Sequence, residues 1–508
     1  MAIGKSVLIC AEPPIRFSAL NVLSLLTQET RVSAASLADF IAGTGLRLGV
    51  TGLSRSGKTV FITSLIHNLL RAGAGHGKLP VFRVHAEGRM SGALLKPQPD
   101  DAVPRFAYED HVRALIGPDR RWPESTRRIS ELRLTLEFER ATGWFKGARS
   151  LTIDIVDYPG EWLLDLPLLD KTYATWSRET LAATDTYARR PLAAPWLDFL
   201  KSIKPDDVES EDVARTAAQL FTDYLRASKA EHFALSTLPP GRFLMPGDLE
   251  GSPALTFSPL PVAEGVEIGE GTLLAMMERR YEAYKAHVVR PFFRDHFARL
   301  DRQIVLVDAL AALNSGAGAV RDLEHALGDV LAAFRAGRAS LFAQIFRPRI
   351  DRILFAATKA DHLHHTSHDR LEAILRVLTA RAIARAEGLG AGIDVIALAA
   401  VRATREARVK HGRETLDAIV GVPMAGEVVD GKIFDGETEA AIFPGELPDD
   451  PRHVFRGDAL ATPADQADYR FVRFRPPALP LQMDGQPQPL PHIRLDRALE
   501  FLLGDRLL

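Results

Sequence analysis

The sequence lacks the features that would tie it to a disulfide framework, a membrane or a nucleic acid. Its one cysteine, Cys10, excludes an intramolecular disulfide and any site built from several cysteines. Apolar residues never run for the roughly 18 positions that a membrane-spanning helix needs. Basic and acidic residues nearly balance, at 63 and 65, so no positive field attracts a phosphate backbone. We therefore expect no nucleic-acid partner and no transmembrane segment.

The composition is that of a globular protein. Hydrophobic residues make up 46% and charged residues 25% of the 508 positions, which argues against wholesale disorder and allows two or three domains. Residues 1–32 contain the Pro13-Pro14 break and little sustained periodicity. They are interpreted as an N-terminal extension.

Strand and helix patterns alternate on either side of a long helical stretch. A strand pattern at Leu46–Thr51 precedes a helix pattern at Thr59–Arg71, and further apolar runs of strand length are separated by helices at 319–346 and 366–386. Those later runs are Gln303–Asp308, Arg352–Ala357 and Asp394–Leu398. Such alternation predicts an α/β fold with a mainly parallel sheet and helices on both faces.

One segment has a different pattern. Leu132–Phe138 alternates strictly between apolar and polar residues, which predicts an edge strand with one face in water. Leu151–Asp157 follows and is expected to pair with it antiparallel.

The domain boundaries follow from these patterns. Residues 33–160 and 301–420 are expected to form the nucleotide-binding core, and 161–300 a large helical insertion. Residues 421–508 are rich in glycine, proline and short apolar pieces. They are expected to form a small β-rich appendage that ends in a helix at Leu495–Leu503.

The strongest motif joins the first strand to the first helix. Gly52-Leu-Ser-Arg-Ser-Gly57-Lys58-Thr59 has the form G-x-x-x-x-G-K-[ST] of a phosphate-binding loop. Its glycines let successive amides point at a phosphate, Lys58 is expected to reach the β- and γ-phosphates, and the Thr59 hydroxyl is expected to ligate Mg²⁺. The predicted phosphate-binding residues are Gly52, Arg55, Ser56, Gly57, Lys58, Thr59 and Val60.

Arg55 lies inside this loop and has two interpretations. It would neutralise phosphate charge during catalysis, or it would be a solvated side chain or the partner of a nearby acid.

A second acidic motif ends the strand Leu151–Asp157. The sequence Asp157-Tyr-Pro-Gly160 has the form D-x-x-G, in which Asp157 is expected to hold Mg²⁺ and the Gly160 amide to meet the γ-phosphate. Asp308 also ends a strand, but no glycine follows it, so Asp157 is preferred. Glu161 is a candidate to orient the attacking water, and alternatively faces solvent or caps a helix.

The element Thr358-Lys359-Ala360-Asp361 follows another strand and predicts guanine recognition. A carboxylate at Asp361 accepts hydrogen bonds from guanine N1–H and the exocyclic amine, groups that adenine does not offer. Such a site discriminates by about 10⁴. The Lys359 stem is expected to lie over the base. After the last core strand, Ala400 and Val401 occupy the place where an amide contacts guanine O6.

The loop before Leu132 is the candidate to sense the γ-phosphate. Within it, Thr126 is the predicted metal-sensing hydroxyl, with capping of the next segment as the alternative. The histidines at 362, 364, 365 and 368 form a tempting metal cluster, but no second ligand group accompanies them at metal spacing. A metal site there is not favoured.

With these motifs together, the sequence resembles the YcjX family of bacterial GTPases, part of the phage-shock and stress-associated set. The matching segments are 45–59, Asp157-Tyr-Pro-Gly-Glu-Trp162, 302–308 and 358–361. The resemblance implies a Ras-like P-loop core, GTP and GDP binding, slow hydrolysis and a cytoplasmic location. It also suggests a protein partner in stress response, which would place the chain peripherally at the inner membrane.

Two other classes of function remain open from the sequence. An ATP-using kinase or ATPase would share the phosphate loop and would not need Thr358–Asp361. A non-hydrolysing interaction protein would use its bound nucleotide structurally.

Overall fold

A computed structural model describes residues 45–52, 55–98, 100–124, 128–140, 147–186, 189–229, 239–262, 269–333, 350–388, 390–456, 469–479 and 487–508. The predicted N-terminal extension 1–32 and Thr126 lie outside these residues.

Seven strands of the described chain form one mixed sheet in the order β2-β3-β4-β1-β5-β6-β7. The contacts of β1 with β4 and β5, of β5 with β6, and of β6 with β7 are parallel, while β2–β3 and β3–β4 are antiparallel. The sheet is therefore mainly parallel, as the sequence predicted. Its strands are β1 (Gly45–Gly52), β2 (Met90–Lys96), β3 (Ser130–Glu139), β4 (Ala148–Asp157), β5 (Arg302–Val307), β6 (Arg352–Ala357) and β7 (Gly392–Ala397).

Helices connect and cover these strands. Before β5 they are α1 (Lys58–Gly73), α2 (Arg83–Ala86), α3 (Tyr108–Ile116), α4 (Tyr173–Ala183), α5 (Arg190–Leu200), α6 (Glu211–Ser228), α7 (Gly241–Leu244), α8 (Leu273–Tyr284) and α9 (Arg290–Asp295). After β5 they are α10 (Ala309–Ser315), α11 (Ala317–Ala333), α12 (His368–Leu378), α13 (Ala380–Glu387) and α14 (Leu495–Leu503). No helix of the described part is long and apolar enough to cross a membrane.

Both faces of the sheet are buried, because successive side chains of a strand point to opposite sides. Ile304 and Leu306 belong to an apolar cluster with Phe61 of α1 and the last helix, α14. Val305 and Val307 belong to a second cluster that continues into the aromatic core of α4–α9. The helices between β4 and β5 therefore pack on one face of the sheet, and α1 and α14 cover the other.

The prediction of an edge strand at Leu132–Phe138 was wrong. β3 is interior, and the edge is β2, which no sequence pattern indicated. The polar residues that suggested a wet face are satisfied by the neighbouring strand: Arg133 forms an ion pair with Asp154, and the Thr135 and Thr152 hydroxyls lie 3.2 Å apart. The predicted antiparallel pairing of β3 with β4 is confirmed.

The long helix expected at Leu273–Leu300 is interrupted. α8 gives way to a π-helical turn at Lys285–Val289 before α9. Pro291, at the start of α9, cannot donate the backbone hydrogen bond that a regular helix would need at that position.

A small separate sheet follows the core. The strands β8 (Arg405–His411), β9 (Glu414–Gly421) and β12 (Ala440–Ile442) are antiparallel in the order β12-β9-β8, and β10 (Val428–Val429) pairs with β11 (Lys432–Ile433). The sheet begins before residue 421, because its first strand, β8, begins at Arg405. Gly412, at φ 63°, closes the hairpin between β8 and β9. Its apolar centre is formed by Ile419, Phe434, Ile442, Val472 and Phe474. These segments from 405 to 474 are called the small β lobe below.

Candidate functional site

The predicted motifs meet at one edge of the main sheet because parallel strands end on the same side. In the strand register, Val50 of β1 lies opposite Asp157 at the end of β4, and Gly52 lies opposite Leu306 of β5. Val307 pairs with Ala357 at the end of β6, so Thr358–Asp361 follow at the same edge.

The loop between β1 and α1 is shaped by two glycines with different roles. Gly57 has a φ of 84°, a left-handed conformation that favours glycine. Gly52 is required for space, since a Cβ there would lie 2.2 Å from Ser56 Oγ and 2.6 Å from the Leu306 carbonyl oxygen. Lys58 Nζ donates to the Gly52 carbonyl at 3.2 Å, so the lysine curls back over the loop.

The first turn of α1 presents the other predicted phosphate and metal ligands. Ser56 is buried, and the Thr59 hydroxyl donates to the Glu124 carbonyl at 3.3 Å. This bond connects the loop to the chain just before the predicted γ-phosphate sensor. Arg55 is exposed, with a φ of 62°.

Lys359 forms an ion pair beside the base-reading element. Its Nζ lies 2.5 Å from Asp308 Oδ2, and its backbone is left-handed at φ 61°. Asp308 also accepts from the Ala311 amide at 3.1 Å, capping α10. Asp308, which competed for the metal role in the sequence, is thus a cap and the partner of Lys359 in this structure.

Asp361 is buried, at 4% exposure, and its carboxylate is positioned by the chain that enters the small β lobe. Asp361 Oδ2 accepts from the Ala403 amide at 2.9 Å, and the Thr404 hydroxyl donates to the Asp361 carbonyl at 2.5 Å. A carboxylate offers about four acceptor positions, so further donors can still be accommodated. Thr358 bonds to the Val307 carbonyl rather than to the phosphate loop.

A single cavity of about 380 Å³ joins the phosphate loop to this base-reading element. The predicted residues that line it are Arg55, Ser56, Gly57, Lys58, Thr59, Val60, Thr358, Lys359, Asp361, Ala400 and Val401. The Ala399 and Arg402 amides bond to the carbonyls of Ile493 and Pro491, which fixes the stretch containing Ala400 and Val401. One ligand in this cavity would touch both motifs.

The D-x-x-G segment lies beside the cavity and not in its lining. Asp157 is 1% exposed, and Gly160 begins a 3₁₀ segment, Gly160–Asp170. An oxygen donor set of this buried carboxylate and the Thr59 hydroxyl suits Mg²⁺, which prefers such ligands. The described residues therefore fit the predicted metal.

Glu161 faces the helical insertion. Lys229, directly after α6, donates to Glu161 Oε1 at 2.5 Å. Burial opposes ionisation of Glu161, but the charges of Lys58 and Lys229 outweigh it and hold its pKa below the usual value. Glu161 is therefore an ionised, buried carboxylate between the phosphate loop and α6.

The rest of the 3₁₀ segment is clamped by the insertion. Asp165 accepts from Tyr284 Oη and the Gly241 amide, both at 2.6 Å, and burial raises its pKa to about 6. The Arg242 guanidinium lies 3.1 Å from the centre of the Trp162 ring. The insertion is therefore bonded to the 3₁₀ segment that begins at Gly160.

The cavity also contains residues outside the predicted set of nucleotide-binding residues. These are Phe61, Trp122, Pro123, His362, Leu398, Ala399, Met424, Arg473 and Phe474. The positions of Met424, Arg473 and Phe474 carry no local signal, because they reach the site only through the pairing of the small β lobe. His362 does follow Asp361 directly, and burial lowers its pKa, which favours the neutral ring.

The histidine segment contains a grouping that the sequence did not show. Ligand atoms of His364, His365 and Glu406 lie within 4.8 Å of one another. His368 instead bonds to the Ala360 carbonyl at 2.9 Å and supports the base-reading loop.

The chain is similar to known proteins over most of its length. A family model described as "YcjX-like family, DUF463" matches residues 46–507. A protein of Escherichia coli K12 named Ras-like GTPase YcjX is 38% identical over 471 residues, covering 91% of this chain and 96% of that protein. A protein of the same name from Shewanella oneidensis is 33% identical over 510 residues, covering 96% of this chain and all of that protein.

Proposed function

This chain belongs to the YcjX-like family, and from that premise we propose that it binds GTP and GDP with Mg²⁺ and hydrolyses GTP to GDP and phosphate. The observation that carries the proposal is the one cavity that holds both Lys58 and Asp361. A phosphate loop alone does not choose the base. The buried Asp361 carboxylate supplies that choice.

Different residues along the cavity have different proposed roles. The amides of the loop and the Lys58 ammonium bind the phosphates, and Asp361 selects guanine through its N1–H and amine. Mg²⁺, held by Thr59 and Asp157, would neutralise phosphate charge. Glu161 is the candidate to orient water, and Arg55, at the exposed rim, is the candidate to stabilise charge that develops on the phosphates. Slow intrinsic turnover is expected.

The arrangement favours a nucleotide-dependent switch. Gly160 leads directly into the segment that α6, α7 and α8 hold, so a γ-phosphate contact at Gly160 would shift the helical insertion against a partner. That partner is proposed to be a protein of a bacterial stress response. The chain would act in the cytoplasm, or peripherally at the inner membrane through that partner.

Equilibrium titration with fluorescent GDP and ADP tests the base assignment. We expect GDP to bind at least about a thousandfold more tightly than ADP, because adenine does not offer the two donors that guanine presents to the buried carboxylate. Equal affinity would overturn the guanine assignment and favour an ATP-using enzyme.

Asp361→Asn supplies the matched variant. An amide offers a donor where the carboxylate offers an acceptor, so the preference should move from guanine to xanthine nucleotides.

Hydrolysis is tested separately by measuring phosphate release from GTP. Lys58→Ala should lose this release. If wild type binds GDP but releases no phosphate, the switch would operate by exchange alone.

A further inference from the structure

The nucleotide cavity has a wall that belongs to neither the phosphate loop nor the base-reading element. This wall consists of Met424, Arg473 and Phe474 of the small β lobe, which line the cavity beside Asp361 and His362. Met424 and Arg473 are joined by a bond from the Met424 amide to the Arg473 carbonyl at 2.8 Å, and Pro423 forms a β-bridge with Phe474. This wall is therefore a built surface of paired main chain.

The wall is attached directly to the base-reading element. The Phe474 ring lies edge-on to His362, with centroids 5.5 Å apart and planes at 82°. The amide of Ala403, just before β8, donates to the Asp361 carboxylate itself. Gly421, at the end of β9, allows the Phe474 ring to pack closely against that strand, since a Cβ there would lie 2.8 Å from Phe474 Cδ1.

The wall is also attached to the opposite side of the cavity. Trp122 Nε1 donates to the Phe474 carbonyl at 2.7 Å, and Trp122 lies in the chain just before the predicted γ-phosphate sensor. The Arg473 guanidinium is fixed by Glu427, with Nε and Nη2 both 2.6 Å from Glu427 Oε1. The lobe therefore spans the cavity from the base-reading loop to the loop before β3.

We propose that the small β lobe is part of the nucleoside-binding site, with Met424 contacting the base or ribose of the bound nucleotide and Phe474, 1% exposed in the apolar centre of the lobe, holding that wall in place. This inference rests on the proposed function and deepens it. An apolar wall that packs on the nucleoside raises the affinities for GDP and GTP equally, because it does not contact the γ-phosphate.

The test compares Met424→Ala with Val428→Ala. Both substitutions shorten an apolar side chain of the same lobe, but Val428 is 56% exposed on β10 and does not line the cavity. We expect Met424→Ala to weaken GDP and GTP by the same factor, about tenfold, with faster dissociation, because apolar contact area is lost. Val428→Ala should bind both nucleotides within about twofold of wild type.

Phe474→Leu gives a second variant that keeps an apolar side chain in the lobe. It should weaken GDP and GTP equally, by roughly threefold or more, because the smaller side chain in the apolar centre of the lobe supports the wall less well. Affinities are measured well below the thermal midpoints of all variants without nucleotide, so that unfolding does not contribute. Wild-type GDP binding together with Met424→Ala and Phe474→Leu affinities equal to that of Val428→Ala would overturn this inference and leave the proposed function standing. Absence of GDP binding in wild type would overturn both.

Discussion

At the scale of single residues, the cavity depends on a glycine, Gly52, at a position where no side chain fits. The clash expected at Gly52 is with the Ser56 side chain and with the Leu306 main chain of β5, which cannot move without disturbing the sheet. The start of the phosphate loop, at Gly52, is thus packed against the neighbouring strand.

Gly52→Ala should abolish GDP binding and lower the free energy of unfolding by roughly 1–3 kcal/mol, because the loop must rearrange to admit the methyl group. Gly75→Ala is the control. Gly75 has a φ of 82° and open space around its Cβ position, so that variant bears backbone strain alone. Urea unfolding and GDP titration of both variants check the comparison. GDP binding by Gly52→Ala at wild-type affinity would contradict the packing argument.

At the scale of elements, an ion pair connects the helical insertion to the segment that follows the D-x-x-G motif. Lys229 follows α6, and its partner Glu161 follows Gly160, so α6 and the D-x-x-G segment are held together. Glu161 is 4% exposed. Removing Lys229 would therefore leave a buried carboxylate that is stabilised by the charge of Lys58 but no longer by that of Lys229.

Lys229→Met should therefore raise the pKa of Glu161 and destabilise the fold at pH 7 by roughly 1–3 kcal/mol. The folded-state pKa of Glu161 is lowered, so its ionised form contributes stability above the unfolded pKa, near 4.5, and loses it as pH falls through the folded pKa. The difference between Lys229→Met and wild type should accordingly shrink towards pH 4. Thermal unfolding at both pH values measures it.

Two further variants separate the ion pair from general effects. Adding Glu161→Gln to Lys229→Met should recover much of the lost stability at pH 7, since the buried carboxylate that lost its partner is gone. Lys201→Met, at an exposed side chain paired with Asp198, should change stability by less than about 0.5 kcal/mol. A Lys229→Met effect that stays constant between pH 4 and pH 7 would argue against the role of Glu161.

Element patterns in the sequence were informative where periodicity was local. β1, β5, β6 and α14 lie within a residue or two of their predicted bounds, because apolar runs and caps determine them. β3 was misplaced, because its polar residues bind partners on β4 that are not adjacent in sequence. The cavity wall at Met424 and Phe474 was invisible for the same reason: its position is decided by long-range pairing.

At the scale of the whole molecule, the two ends of the described chain share one apolar cluster. α14 packs with α1 and β1 on one face of the sheet, where Leu499 is fully buried. Arg302, at the start of β5, forms an ion pair with Asp505 at 2.7 Å. The core is therefore completed by residues that come after the small β lobe.

Leu499→Ala should lower the free energy of unfolding by about 2–5 kcal/mol, the usual range for a large-to-small change in a core. Leu508→Ala removes the same atoms from a side chain that is 47% exposed and should change stability by less than about 0.5 kcal/mol. Chemical denaturation of the two variants gives the comparison. Equal effects would mean that α14 is not an integral part of the core.

The position of α14 has a consequence for how the protein is made. During synthesis, β1 and α1 leave the ribosome long before residues 495–503 exist, so their apolar face waits uncovered while more than four hundred residues are added. The nascent chain cannot finish its nucleotide pocket domain by domain. The apolar cluster that contains α1 is therefore completed only after the last helix has been synthesised.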